Sequence, residues 1–596
     1  MPEYKPPARD MAFVVNEVLA FEQLRETLGF DDATPDTVEA IFDEAGKLAR
    51  DVCHPLYHSG DAQGCRLEDG EVITPDGFAD AYRQYVESGW GSLAVPVEHG
   101  GQGMPHAVAT LVSELFTGAN HAWYMYPSLT HGAVGAILTW GSDEQKQRFL
   151  PKLVSCEWSG TMNLTESHAG TDLGMLRTRA EPQADGSYRI SGEKIFISAG
   201  EHSMSENIIH LVLARLPDAP EGTRGITMFL VPKFLINEDG SLGERNGVRC
   251  TALEHKMGIN GSATCVLNYD NAEGYLIGEE NGGLKAMFTM MNSARLGVGV
   301  EGLGKAELAY QYAVDYAKNR LQGKSVSGRK LPEKPADPII HHPDVRRMLL
   351  SIRSFTEGAR ALAAWTALQE DISAHHPDAA EREKAEDYVG LMTPVVKAFF
   401  TDEGFTSANH AIQVYGGHGY IGEHGVEQIA RDARISQLYE GTNGIQAMDL
   451  VGRKLALHGG RAIRHWLTEI GGLLKEHGQD AELAPYLAPL SAAFDSLQKA
   501  TGWLMQHAAA NPENAGSAAT SYLRLMAIVA VGAMWLRIVV TARRALADGA
   551  ADAAFYESKL VVARFFFEQY GAEHGTLLAR VEAGCESTMA LPAEAF

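Results

Sequence analysis

The chain has 596 residues, too many for one hydrophobic core, and a prior of about 150 residues per domain predicts three or four domains. Its 51 basic and 76 acidic residues give a net charge of −25, which argues against nucleic acid or an anionic membrane surface as the main partner. The six cysteines contain no C-x-x-C pair, so neither a metal site nor a disulfide framework is expected.

The first quarter of the chain is predicted to be mainly helical. Residues 1–35 begin with prolines and take helical spacing from about Asp10, which predicts an extension that packs on the main body. No apolar signal segment is visible there, so a cytoplasmic location is expected. Residues 36–156 alternate helical spacing with glycine-rich turns and predict an α-helical domain, with Asp36 as the N-cap of its first helix.

The middle of the chain, residues 157–281, changes from a period of 3.6 to a period of 2. The apolar runs YRISG, KIFIS, NIIHLVLA, GITMFLV and ATCVLNY are separated by Gly, Pro and Asn turns and predict a β-barrel-like domain. Within KIFIS, alternation places Ile195 and Ile197 on one face and Phe196 and Ser198 on the other.

Helical spacing returns in residues 282–455, where four long helices with short or Pro/Gly-rich links predict an antiparallel bundle. Residues 456–596 predict a further helical domain. Its most apolar run, 525–540, meets Arg537 after twelve uncharged residues, short of the ~20 that a membrane-spanning helix needs. We therefore expect a core helix and no membrane insertion, in a fold that is mostly α with a central β domain.

Five ordered segments resemble motifs of the acyl-CoA dehydrogenase family. They are VPVEHGGQGMP, GSDEQKQRFLPKL, MNLTESHAGTDLG, GEKIFISAG, and YEGT following RDARI and preceded by QVYGGHGY. The resemblance extends from about residue 85 to 455. It implies the family fold, in which an α-helical domain, a β-barrel domain and a four-helix bundle follow one another, and it implies FAD as the cofactor.

Glu440 is the predicted catalytic base. Tyr439 to Thr442 falls where helical spacing is interrupted, so a carboxylate stands at a break beside a flexible glycine. The alternative is an exposed loop carboxylate. The resemblance implies that Glu440 removes the α-proton of an acyl-CoA thioester while the β-hydrogen leaves as hydride to FAD, giving a trans-2-enoyl-CoA. Some family members place the base immediately before Arg295, but Ala294 stands there in this chain.

The resemblance also assigns binding residues. Turn N–H groups, small hydroxyl side chains and an aromatic ring suit a flavin and its phosphates. The implied cofactor contacts are Met162, Leu164, Thr165, Gly170, Thr171, Phe196, Ser198, Arg320, Gln322, Gln413, Gly416, Gly417, Thr442 and Asn443. Asn292 and Arg295 are the implied substrate contacts. Since the family supplies Arg320 and its neighbours partly to an adjacent subunit, a homodimer is expected.

One glycine-rich pattern is rejected as a binding motif, and one aromatic stretch leaves two interpretations open. GVGVEGLG, residues 297–304, has dinucleotide-motif spacing but lies inside a helical pattern, which argues against a nicotinamide site. The aromatic residues of HAWYMYPSLTHG, residues 121–132, are either core or, by the resemblance, one wall of an acyl pocket.

The chain ends point to a subgroup of the family. The N-terminal YKPPARDMAFVVNEVL and the extra helical domain resemble 3-methylmercaptopropionyl-CoA dehydrogenases. The implied substrates are short acyl-CoA esters including that thioether, in dimethylsulfoniopropionate catabolism or fatty acid β-oxidation, with electron-transferring flavoprotein as acceptor. A medium- or long-chain acyl-CoA dehydrogenase, an acyl-CoA oxidase and a non-catalytic helical scaffold are the alternatives.

Overall fold

The structure is a computed structural model that describes residues 2–596, with the side chain of Asn292 excepted. Helices dominate and one strand-rich region lies in the middle of the chain, which confirms the predicted fold class. The α-helices of the described residues are α1 Ala8–Ala12, α2 Glu22–Arg25, α3 Pro35–Leu48, α4 Tyr57–Gln63, α5 Phe78–Glu87, α6 His106–Trp140, α7 Asp143–Val154, α8 Gly283–Asn319, α9 Pro343–His375, α10 Ala379–Tyr415, α11 Val426–Ala433, α12 Asn443–Asp449, α13 Arg461–His477, α14 Ala484–His507, α15 Pro512–Ala547, α16 Ala553–Gln569, α17 His574–Glu582 and α18 Glu586–Met589. The strands are β1 Arg66–Glu68, β2 Glu71–Ile73, β3 Trp158–Asn163, β4 Arg179–Pro182, β5 Tyr188–Ser198, β6 Asn207–Ala214, β7 Thr227–Pro232, β8 Phe234–Ile236, β9 Leu242–Arg245, β10 Val248–Leu253 and β11 Thr264–Ile277.

The chain forms two compact units. One, the helical unit, contains the chain up to Gly46, Pro105–Gly118 and Arg295–Phe596, and the other, the strand unit, contains Lys47–Met104 and Ala119–Ala294. Helices α6 and α8 each contribute residues to both. Asn120 interrupts α6 with φ −159° and ψ 87°, and its Oδ1 accepts a hydrogen bond from the Trp123 N–H at 3.1 Å, so it caps the second half of that helix.

The strand unit contains a seven-stranded sheet in the order β3-β6-β7-β11-β5-β4, with β10 paired to β11. Strands β3 and β6 are parallel, and the other pairs are antiparallel. A bridge between Arg179 and Arg215 joins β4 to the chain just after β6, which gives the sheet its barrel character. Ala133 and Ile137 of α6 and Phe149 of α7 pack with the apolar face of the sheet in one buried core.

The N-terminal region differs from its prediction at two points. Strands β1 and β2 form a hairpin inside the segment predicted to be an α-helical domain with turns. The prediction that Asp36 caps α3 is wrong, because α3 begins at Pro35 and the Thr37 N–H donates to Thr34 Oγ1 at 3.3 Å. Proline suits the first helical position, since its fixed φ matches the helix and its missing N–H is not needed there.

Long helices dominate the helical unit. From Arg295 onward it contains most of α8 together with α9 and α10, of 33 and 37 residues. The fourth helix predicted for the bundle is divided into α11, a 3₁₀ turn at Arg434–Gln437, a loop and α12. Helix α15 is long and apolar enough to cross a membrane, but 89% of its most apolar window is buried in the protein, as expected for a core helix.

Candidate active site

The loop between the turn Arg434–Gln437 and α12 carries Glu440 at a strained position. Glu440 has φ +55° and Gly441 has φ +84°, so two consecutive residues occupy the left-handed region that only glycine enters without cost. The Glu440 carbonyl accepts a hydrogen bond from Gln446 Nε2 at 3.0 Å. Thr442 Oγ1 accepts from the Ile445 N–H and caps α12. The break in helical structure lies where the sequence predicts it.

The Glu440 carboxyl lies half-buried among charged groups of both signs. Burial raises the pKa of Glu440 to about 7; nearby Arg295 and Lys397 lower it, and Glu301 raises it. A carboxyl group with this pKa can accept and release a proton near neutral pH. The alternative of a fully exposed loop carboxylate does not match this environment.

Two helices hold the loop in place through carboxylates. Glu301 of α8 accepts hydrogen bonds from Ser436 Oγ, at 2.8 Å, and from the Tyr439 hydroxyl. Asp402 of α10 accepts from Gln437 Nε2, at 2.7 Å, and from the side chain of Asn443. Anchors on both sides of Glu440 therefore keep the strained backbone in one conformation.

Of the two predicted substrate residues, the structure describes the side chain of Arg295 only. Arg295 is buried in α8, and burial lowers the pKa of its guanidinium although Asp449 and Glu440 favour the charged form. This buried cation faces the predicted base. The side chain of Asn292 lies outside the described residues.

Five of the predicted FAD contacts form an exposed group at one end of the helical unit. Arg320, directly after α8, lines a cavity of ≈ 470 Å³. Tyr415, the last residue of α10, also lines it and stacks on Tyr316 with ring centroids 4.0 Å apart. The remaining predicted residues, Gln322, Gln413, Gly416 and Gly417, are exposed next to these two helix ends.

The two glycines of this group leave room for a ligand. A Cβ added at Gly416 or at Gly417 would meet no atom within 4 Å, and Gly416 has φ +60°. Exposed backbone without side-chain cover suits close approach of a phosphate or a ribose. The described residues therefore fit an adenosine diphosphate group.

The predicted FAD contacts between residues 162 and 171, called here the first flavin segment, begin in the last residues of β3 in the strand unit. Met162 and Leu164 are half-buried and pack against the core. Thr165 is half-buried, whereas Gly170 and Thr171 are exposed. The exposed turn can present its N–H and hydroxyl donors to a ligand.

Glu166 and Lys194 organise that segment, and the sequence did not single them out. The Glu166 carboxylate accepts from the Thr178 hydroxyl at 2.6 Å and from the backbone N–H groups of Arg177 and Thr178. Lys194 Nζ donates to Glu166 Oε1 and to the Leu164 carbonyl, both at 2.9 Å. This buried ion pair ties the first flavin segment to β5, which carries the second.

Phe196 and Ser198 are at the end of β5, where the predicted alternation is wrong. In a regular strand, residues an odd number apart face opposite sides. Lys194 and Ile197 are three residues apart and yet both are buried, because a bulge shifts the register of β5 against β11. Phe196 lies in this bulge with φ +59° and is 59% exposed. An exposed aromatic ring in a strained backbone position fits a planar ligand such as a flavin, while Ser198 is half-buried.

Comparison with known families accounts for almost the whole chain. Acyl-CoA dehydrogenase models match residues 35–157 as the N-terminal domain, 161–272 as the middle domain and 281–455 as the C-terminal domain. A fourth model, described as acetyl-CoA dehydrogenase C-terminal like, matches residues 466–592.

Full-length relatives lead to the same family. A 3-methylmercaptopropionyl-CoA dehydrogenase of Ruegeria pomeroyi is 44% identical over 96% of this chain and 98% of its own length. A butyryl-CoA dehydrogenase of Syntrophomonas wolfei is 37% identical over 99% and 98%. An acyl-CoA dehydrogenase structure from Bacillus anthracis, solved with FAD, shares the fold with a TM-score of 0.74 at 20% identity, covering 92% of this chain and 88% of that one. The chain therefore belongs to the acyl-CoA dehydrogenase family and is an FAD-dependent oxidoreductase that acts on acyl-CoA.

Proposed function

We propose that this enzyme dehydrogenates short acyl-CoA esters, including 3-methylmercaptopropionyl-CoA, with Glu440 as the base. The observation that carries the proposal is the half-buried Glu440 carboxyl, held in a left-handed loop with a pKa raised to about 7. A catalytic carboxylate must be ionised at the working pH, and its affinity for a proton must be high enough to remove the α-proton. A pKa near the working pH satisfies both conditions.

The chain's own residues move and control one proton. The ionised Glu440 carboxylate takes the α-proton of the thioester and becomes the neutral acid. Arg295 stabilises the carboxylate before transfer, while burial and Glu301 favour the acid afterwards. FAD, when bound, supplies the acceptor for the hydride that the β-carbon loses.

The two full-length relatives support a short substrate. Their names specify a four-carbon acyl group in one case and a thioether acyl group of similar length in the other. The thioether is longer than butyryl by one heavy atom, and an apolar pocket discriminates a single methylene by only ~1–3 kcal/mol. One pocket can therefore accept both esters.

A substrate panel tests this proposal. We expect kcat/KM to be higher for 3-methylmercaptopropionyl-CoA and butyryl-CoA than for palmitoyl-CoA, and Glu440→Gln to lower kcat by at least ~10² while the protein still binds FAD and acyl-CoA. A much higher kcat/KM for palmitoyl-CoA would contradict the short-chain assignment. Turnover of Glu440→Gln within a few-fold of the wild type would contradict the base.

The assembly, acceptor and location complete the proposal. We propose a homodimer, because the exposed Arg320 group resembles family positions that reach an adjacent subunit. We also propose a cytoplasmic location, and electron-transferring flavoprotein as the protein that reoxidises the reduced enzyme. Reoxidation of the reduced enzyme by electron-transferring flavoprotein and by O₂ is compared at equal concentrations. Faster reoxidation by O₂ would favour an acyl-CoA oxidase instead.

A further inference from the structure

Lys397 is a buried cation in the middle of α10, opposite the loop that carries Glu440. Its side chain is 0% exposed, and a lysine is almost never fully buried unless it is paired. Its Nζ donates to the Gly441 carbonyl at 2.9 Å and to Asn443 Oδ1 at 2.8 Å. These two acceptors belong to residues one and three positions after Glu440.

Asn443 extends this anchor along α10. Its Nδ2 donates to the Ala398 carbonyl at 3.1 Å, to Thr401 Oγ1 at 3.0 Å and to Asp402 Oδ1 at 2.7 Å. Both polar atoms of the Asn443 side chain are thus used inside the protein. The backbone on the C-terminal side of Glu440 is fixed by Lys397 directly and by Asn443 as its partner.

Two of the charged groups near Lys397, Arg295 and Glu301 of α8, also act on Glu440. Asp402 of α10 acts on the Lys397 ammonium group as well. Burial lowers the pKa of Lys397 to about 8, although the carboxylates Glu301, Glu440 and Asp402 favour its charged form. Tyr439 shares the loop with Glu440 and bonds to Glu301, and Asp449 faces Arg295.

We propose that Lys397 is a positioning residue, which holds the Gly441 carbonyl and Asn443 so that Glu440 keeps its left-handed backbone and an ionised carboxylate. The inference rests on the proposed role of Glu440 as base. A non-glycine residue stays at positive φ only where the surrounding contacts hold its backbone there. The hydrogen bonds of Lys397 provide such contacts at the residues that follow Glu440.

The test is Lys397→Met, which keeps the length of the side chain and removes its charge and donors. We expect kcat to fall about 10- to 100-fold, because the base is misplaced. In the plot of kcat against pH, the fall in kcat on the acid side, called here the acid limb, should move to a higher pH by about one unit, because a cation near Glu440 is lost. The profile is measured with whichever of butyryl-CoA and palmitoyl-CoA is turned over faster. Flavin absorbance and Tm are recorded on the same samples.

Further variants separate positioning from folding. Lys397→Gln keeps a donor and should shift the acid limb with a smaller loss of kcat, and it replaces Lys397→Met if that protein does not fold. Asn443→Ala should lower kcat without moving the limb, since the Lys397 charge remains. The control is Lys559→Met, the same substitution at a buried lysine that pairs with Asp10 and Glu357; it should lower Tm and leave the limb in place.

The outcomes distinguish this inference from the proposed function. An inactive Glu440→Gln together with a Lys397→Met or Lys397→Gln variant that keeps the wild-type kcat and acid limb would overturn the positioning role alone. An active Glu440→Gln would overturn the base and the positioning role together. A limb that moves equally in Lys559→Met would assign the effect to general destabilisation and also overturn the inference.

Discussion

At the scale of single residues, the environment of Glu440 places its pKa near 7 by opposing influences. Burial and Glu301 raise the pKa, whereas Arg295 and Lys397 lower it. Burial alone would favour the neutral acid, which cannot remove a proton. The two cations keep enough of the carboxylate ionised at neutral pH for the reaction to start.

The pH dependence of turnover follows from this pKa. Because burial raises the pKa of Glu440 to about 7, the carboxylate is protonated below that pH and the base is lost as the pH falls. We therefore expect kcat/KM for butyryl-CoA to decline tenfold per pH unit below about pH 7. Steady-state assays between pH 5 and pH 9 measure it.

A control separates catalysis from unfolding in that experiment. The flavin absorbance and the Tm of the enzyme should be unchanged over the range in which the rate falls. A rate that stayed constant down to pH 5, where an ordinary Glu side chain is still largely ionised, would contradict the raised pKa of Glu440.

The sequence predicts Glu440 better than it predicts the groups around it. Gly441 and the interrupted spacing mark the loop, but Lys397 and Glu301 lie in long helices, where a charge is normally assigned to the solvent face. A usable signal was present, because Lys397 stands in the apolar run TPVVKAFF and Glu301 stands between GVGV and GLG. A charge inside an apolar helical stretch needs buried partners.

At the scale of elements, helix and strand types are predictable, whereas local exceptions are not. The spacing of apolar residues identifies the long helices and most strands of the barrel. It does not identify the bulge at Phe196, because bulges depend on register with β11. Nor does it identify the break at Asn120, since the flanking residues keep helical spacing. Such exceptions depend on tertiary hydrogen bonds.

The ends of α8 and α10 form the exposed group around Arg320, and this group yields a prediction. Arg320→Ala should lower the FAD content of the purified protein, because the guanidinium lines the cavity and suits a diphosphate. It should also weaken self-association, because in the proposed homodimer Arg320 reaches the FAD of the adjacent subunit. Flavin absorbance and gel filtration of one sample measure both. Lys318→Ala, at an exposed position in the last turn of α8, is the control. A variant that stays fully yellow and unchanged in size would contradict the role of Arg320.

At the scale of the helical unit, buried charges connect distant parts of the chain. Arg360 of α9 donates to Glu114 of α6 at 3.0 Å and to Glu307 of α8 at 2.9 Å. Asp10, near the N-terminus, pairs with Arg360 and with Lys559 of α16. The N-terminal segment, the bundle and the C-terminal extension therefore share one ion network.

This network also has a pH dependence with a definite sign. Burial would raise the pKa of Asp10, but Lys559 and Arg360 hold it below its usual range. A carboxyl group with a lowered folded-state pKa stabilises the protein above its unfolded-state pKa, and this stabilisation is lost as the pH falls through the folded-state value. The contribution is therefore fully present at neutral pH.

Removing Lys559 should destabilise the protein without affecting its chemistry. Lys559→Met takes away the cation between Asp10 and Glu357, whose Oε2 lies 3.0 Å from the Lys559 Nζ. Breaking a buried ion pair from one side costs about 3–5 kcal/mol, because an uncompensated charge stays buried. We expect Tm at pH 7 to fall by several degrees. The matched control is Lys384→Met, at a partly exposed lysine 3.7 Å from Glu381, which should change stability by less than about 1 kcal/mol. Equal Tm values for the two variants would mean that the extension and the N-terminal segment are held together by apolar packing, such as the edge-to-face contact of Phe13 with Phe555, rather than by the ion network.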